Sequence, residues 1–174
     1  SVKDRIAAIH PACEVTAIEE FVTPDNVADV LPRCDAVVDA IDQVRAKAAL
    51  IVHCQRLGIP LVTTGGAGGK CDPAMIRVDD LARTTQDPLA AKLRAALRRD
   101  HGFARDPRRK FGIDCVYSLE PIRRPDVAAC EGDAPALQGL SCAGYGSSVC
   151  VTAGFGFAAA SRVLARYAQP MAAR

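Results

Sequence analysis

Residues 36–70, AVVDAIDQVRAKAALIVHCQRLGIPLVTTGGAGGK, constrain this chain more than any other stretch. Residues 36–40 form an apolar run of strand length. Val44, Ala48 and Ile51, with Leu50, Cys54 and Leu57, then give an apolar face at helical spacing. Gly58 stands where a helix needs a left-handed residue to stop. Residues 59–63 read as a second strand, broken off by glycines. Two short strands joined by one helix make a βαβ crossover. The strands should be parallel and the helix should cover the sheet, so the chain is predicted to be α/β.

In such sheets ligands collect beyond the carboxyl ends of the strands. Asp39, Asp42, Gly65 and Gly66 all fall there. A carboxylate beside a glycine-lined floor suits Mg²⁺ held together with nucleotide phosphates, because magnesium usually takes one or two carboxylates plus phosphate oxygens. Asp42 has a plainer reading as the cap of the helix that follows, and Asp39 as an acid at a strand end. The run from Gly65 to Gly69 is not a phosphate loop. It leads into another strand, expected at 75–78, and no helix opens behind it to supply a dipole. It reads as a tight turn that lets ligand or backbone come close. Neither GxGxxG nor GxxxxGK[ST] occurs.

Net charge is only +2, but its distribution is uneven. Residues 1–45 carry four basic and nine acidic side chains, whereas residues 92–110 carry eight basic and two acidic. The basic set is Lys92, Arg94, Arg98, Arg99, Arg105, Arg108, Arg109 and Lys110. Gln86-Asp87-Pro88 opens a helix, with Asp as cap and Pro in the first turn. Leu89, Leu93, Ala96 and Leu97 form its buried stripe up to Asp100. Such a helix and its basic loop can neutralise phosphates of RNA, or can be a solvated face.

Elsewhere, 2–9 reads as a helix stopped by Pro11, 14–18 as a strand, 24–31 as a helix opened by Pro24, and 114–119 as a strand. A last helix runs from Ser147 or Ser148 to Ala168. Residues 134–161 carry no charge, a length that would span a bilayer. Small residues dominate them, which favours a buried helix. The eight cysteines form no CxxC pair and no histidine flanks them at metal spacing, which argues against structural zinc. They fit reduced thiols in a cytoplasmic protein. Cys142, among small neighbours, is either a reactive thiol or an inert one.

With these residues in view, the chain resembles the tRNA threonylcarbamoyladenosine dehydratases, a branch of the ThiF/MoeB ubiquitin-activating-enzyme-like superfamily. The shared pattern runs FVTPDNV (21–27), VDAIDQVRAKAALI (38–51), IPLVTTGGAGGKCDP (59–73), QDPLAAKLR (86–94), DCVYS (114–118) and TAGFGFAAAS (152–161). The resemblance implies a Rossmann-like three-layer fold with helices on both faces of the sheet. It implies one domain, with a nucleotide-binding part at 1–85 and the basic helix and terminal helix at 86–174. It implies adenylation by ATP and Mg²⁺ of the threonylcarbamoyl carboxylate in tRNA, followed by cyclisation with loss of water. Asp42 takes the place of the catalytic, metal-holding acid, Asp39 that of the other acid of Asp-x-x-Asp, and Arg45 and Lys47 those of phosphate contacts. A homodimer, a link to a cysteine-desulfurase system and no membrane are further implications. The family's amino-terminal strand, glycine turn and phosphate-gripping Arg and Lys find no counterpart, so this segment alone is expected to be inactive. The competing readings are adenylation of a ubiquitin-like sulfur carrier and a non-catalytic module.

Overall fold

The computed structural model describes residues 1–106, 108–122 and 146–168. Its strands are β1 (Val37–Asp39), β2 (Leu61–Thr64), β3 (Ile76–Asp80) and β4 (Asp114–Ser118). They form one sheet in the order β1-β2-β4-β3. β1, β2 and β4 are mutually parallel, and β3 runs antiparallel to β4. The helices are α1 (Val2–Ile9), α2 (Val27–Val30), α3 (Val44–Leu57), α4 (Pro88–Asp100) and α5 (Val149–Ala168).

The predicted crossover is present: β1 enters α3, and α3 returns the chain to β2 in parallel register, Val38 beside Val62. Strand alternation then sorts the side chains into two layers. Val37, Leu61, Cys115 and Tyr117 face α3 and α4 and join Leu50, Ile51, Cys54, Leu93 and Leu97 in the larger core. Val62 and Val116 face the other way and meet Val151, Phe155 and Ala159 of α5. The result is the three-layer α/β arrangement. Leu57, expected on the apolar face of α3, is 60% exposed. Gly58 ends the helix at φ 68°, as its position requires.

Three local expectations change. Residues 14–18 form no strand: they are mostly exposed and pair with no strand among the described residues. A β-rich pattern without a partner cannot satisfy its backbone as a ladder. The helix expected from Pro24 begins only at Val27, because Thr23 and Asn26 close a turn before it. Thr23 N–H donates to Asn26 Oδ1 (2.7 Å) and Asn26 N–H to Thr23 Oγ1 (3.3 Å). α5 is long and apolar enough to cross a membrane by length and composition. It is only half a core helix, since Val151, Phe155 and Ala159 seat it on the sheet while Phe157, Leu164 and Tyr167 stay exposed. Arg162 and Arg166 tie it to Asp114 of β4 at 3.0 and 3.6 Å.

Candidate nucleotide site

A cavity of about 1030 Å³ opens beyond the carboxyl ends of β1 and β2. The turn from β1 into α3 supplies Ala40 and Asp42, the glycine turn after β2 supplies Gly65 and Gly66, α4 supplies Lys92 and Arg94, and α5 supplies Phe155. This is the place the parallel topology marks for a ligand.

Asp42 is exposed and lines this cavity. It does not cap α3. Gln43 holds the cap position and no side-chain hydrogen bond is made there. Among the described residues nothing engages the Asp42 carboxylate, so it is available to a ligand. Asp39 and Lys47 correct the expectations placed on them. Asp39 is one residue from Val38, and alternation turns it to the opposite face of β1, against α3. There its Oδ2 accepts the Thr63 hydroxyl (2.6 Å) and lies 2.9 Å from Lys47 Nζ, while Oδ1 accepts the Ile41 N–H (3.0 Å). Both side chains of the ion pair are fully buried. Neither reaches the cavity, so neither is placed to hold metal or phosphate. Arg45 is exposed and lies outside the lining.

The glycine turn is more occupied than it reads. Gly65 N–H donates to the Val116 carbonyl (2.8 Å), and Gly66 N–H donates to Asp87 Oδ2 (2.9 Å). The same carboxylate caps α4, its Oδ1 accepting from Ala90 N–H at 2.9 Å. Close approach at Gly65 is therefore real, but the visitor is a side chain of this protein. A Cβ at Gly65 would collide with the Asp87 carboxylate.

Beneath the turn sits Lys70, buried with its ammonium donating to the carbonyls of Ser118 (2.8 Å) and Gln86 (3.3 Å) and 3.9 Å from Asp87 Oδ2. Burial lowers its pKa, and Asp87 and Glu120 pull it back up. Glu120 Oε2 accepts the N–H groups of Cys71 and Asp72, both at 2.7 Å. Lys70, Asp87 and Glu120 thus fix the cavity floor. The sequence marks Asp87 only as a cap and offers no comparable signal for Glu120. The lysine that closes GGAGGK was the one local signal.

The basic set divides. Lys92 and Arg94 line the cavity. Arg94 is half-buried, bonded to the Thr84 hydroxyl, and burial together with Arg98 lowers its pKa. Arg98 lies over the Phe111 ring, 5.3 Å from its centre, and donates to the Ala104 carbonyl (3.1 Å). Arg99 makes two 2.7 Å bonds to Asp100. Arg105, Arg108, Arg109 and Lys110 are exposed on the loop. Cys142 lies outside the described residues. Among those described, no three metal-binding side chains converge.

The family model of the ThiF family matches residues 1–169. This chain belongs to the ThiF family. Within that family it is 50% identical, over 167 residues, to the tRNA threonylcarbamoyladenosine dehydratase of Escherichia coli K12, covering 92% of this chain and 62% of that one. It is 45% identical over 165 residues to the Haemophilus influenzae protein of the same name, covering 94% and 62%. The crystal structure of the E. coli enzyme, TcdA, in complex with ATP superposes with a TM-score of 0.80 at 48% identity, covering 94% of this chain and 60% of that one. This ThiF-family chain therefore spans about three-fifths of the length of the relatives it matches.

Proposed function

We propose that this chain carries most of the nucleotide site of an ATP-dependent tRNA threonylcarbamoyladenosine dehydratase. The observation that carries the reading is the exposed Asp42 carboxylate at the mouth of a large cavity with a glycine floor, in a chain half identical to an enzyme of that name. The residues fit Mg²⁺ bound with a nucleotide. One free carboxylate, with no further metal-binding cluster among the described residues, suits an ion that draws most of its ligands from phosphate and water. Bound there, Mg²⁺ would offset charge on the triphosphate as pyrophosphate leaves.

The chemistry is acyl activation. The substrate carboxylate attacks the α-phosphorus of ATP and pyrophosphate departs. A nitrogen of the same side chain then attacks the activated carbonyl, AMP departs, and the ring closes with net loss of water from the substrate. Asp42 orients the phosphates; α4 and the glycine turn shape the pocket and shield it. The exposed Arg105, Arg108, Arg109 and Lys110 offer the phosphate-binding surface for tRNA. The exposed Phe157, Leu164 and Tyr167 of α5 suit a second copy, making a homodimer in the cytoplasm.

Calorimetric titration with ATP, with and without Mg²⁺, tests the reading. Mg²⁺ should strengthen ATP binding by about tenfold, a gain of about 1.4 kcal/mol. Asp42→Asn should abolish that gain with folding unchanged, because the side chain is exposed and caps nothing. An equal Mg²⁺ effect in both proteins removes Asp42 from the site.

A further inference from the structure

We infer that Lys92 and Arg94 form the subsite for the substrate carboxylate inside the cavity, separate from the surface that meets RNA. This rests on the proposed adenylation reaction.

The placement of charge is the first argument. Of the eight basic residues between 92 and 110, Lys92 and Arg94 line the cavity and the remaining six do not. Arg98 and Arg99 are held by Phe111, Ala104 and Asp100, and the loop residues face solvent. A cation inside a pocket serves a small anion; a cation on an open loop serves a polymer. Among the described residues, four charged side chains line the cavity: Asp42, Asp87, Lys92 and Arg94. Asp87 is consumed by Gly66, Ala90 and Lys70. From the described residues a ligand meets one carboxylate from the β1 side and two cations from α4.

Rigidity is the second argument. Asp87 both caps α4 and holds Gly66, so the first turns of α4 are locked to the cavity floor. Lys92 and Arg94 follow within two turns. Thr84 holds the Arg94 side chain in place. A guanidinium so fixed loses little entropy on meeting a planar carboxylate, which matches its fork geometry.

The third argument is what the reaction demands. A carboxylate must approach a phosphorus ringed by anionic oxygens. Asp42, with a metal, suits the phosphate side of that encounter. Its own charge makes it a poor neighbour for the carboxylate, so the second anion needs cations from another wall. A volume of about 1030 Å³ reaches the upper end of the range of about 300–1,000 Å³ for single small-ligand sites, which leaves room for both.

Calorimetric titration of the full chain with three probes tests this: Mg-ATP, the nucleoside N6-threonylcarbamoyladenosine, and the methyl ester of that nucleoside. The unaltered chain should prefer the free acid to its ester by about tenfold, which is about 1.4 kcal/mol. Lys92→Gln with Arg94→Gln should erase that preference while Mg-ATP affinity moves less than about twofold. Lys92→Gln alone, at an exposed position, should give part of the effect and guards against a folding defect at Arg94. An unchanged acid preference in the variants overturns the assignment. An equal loss of Mg-ATP binding also overturns it and gives the pair to the nucleotide phosphates. If the unaltered chain binds Mg-ATP but not the nucleoside, the subsite falls while the nucleotide site stands. If it binds neither, the functional reading falls and the subsite with it.

Discussion

Gly65 and Gly66 look interchangeable in the sequence, yet the structure gives them different duties, and alanine substitution separates them. At Gly65 the backbone cannot retreat, because its N–H is bonded to Val116 in the middle of the sheet (2.8 Å). The added Cβ collides with the Asp87 carboxylate, whose Cγ is 2.8 Å away. Asp87 must move. When it moves, α4 loses its cap, worth about 1 kcal/mol, and Gly66 loses a hydrogen bond to a charged acceptor, worth about 1.5–3 kcal/mol. Residual crowding adds about 1 kcal/mol, so Gly65→Ala should cost about 3–5 kcal/mol. At Gly66 the added Cβ meets nothing nearer than Leu89 Cβ at 3.8 Å, an ordinary contact. Its φ is not positive, so alanine fits, and Gly66→Ala should cost less than about 1 kcal/mol. Urea unfolding of the three chains measures both. If the turn is glycine-rich only to admit a ligand, the two variants will be equally stable and equally poor at binding ATP. Equal unfolding midpoints would refute the Asp87 argument.

Lys47→Met should cost about 3–5 kcal/mol by leaving the buried Asp39 charge without its ion pair, and adding Asp39→Asn should recover part of it; a urea-measured loss under about 1 kcal/mol would show that the pair is dispensable. Replacing Arg105, Arg108, Arg109 and Lys110 with Ala should weaken tRNA binding and lower its salt slope by about 3–4, at roughly 0.9 per phosphate contact. Replacing Arg98 and Arg99, already engaged within the protein, should change that slope little, and a larger effect from this pair would move the RNA surface onto α4. Burial pushes the Cys54 thiol from 9.0 up to about 11 and Cys115 from 9.0 up to about 12. The folded chain therefore keeps protons that the unfolded chain releases, so this stability is full below pH 9.0 and is lost as pH rises through those values. Cys54→Ala should show a shallower alkaline fall in unfolding midpoint than the unaltered chain; identical falls would contradict a buried, protonated thiol.

What could be read from the sequence, and what could not, follows the range of the forces involved. α3, α4, β2 and β4 were legible because periodicity, a capping Asp-Pro and a terminating Gly act within a few residues. The stretch 14–18 has a strand's composition, but a strand exists only when another pairs with it, and no local signal reports a partner. Asp39 and Asp42 show the same limit in a sharper form. Both stand at the end of β1, and both looked able to hold a metal. Alternation makes it legible that Asp39 and Val38 face opposite ways. Which of the two faces carries the cavity depends on where α3 and α5 settle, and that is decided by the whole sheet. Once α3 packs on the Val37 face, Asp39 must find a buried cation, and Lys47, in the middle of an apolar helical face, supplies it. The lysine that looked like a phosphate contact is thus the counter-ion of the acid that looked like a metal ligand. Asp87 was half legible for the same reason: its bond to Ala90 is local, its bond to Gly66 spans 21 residues. The proposed metal-holding role accordingly rests on Asp42, the acid of the Asp-x-x-Asp pair whose carboxylate meets no partner among the described residues.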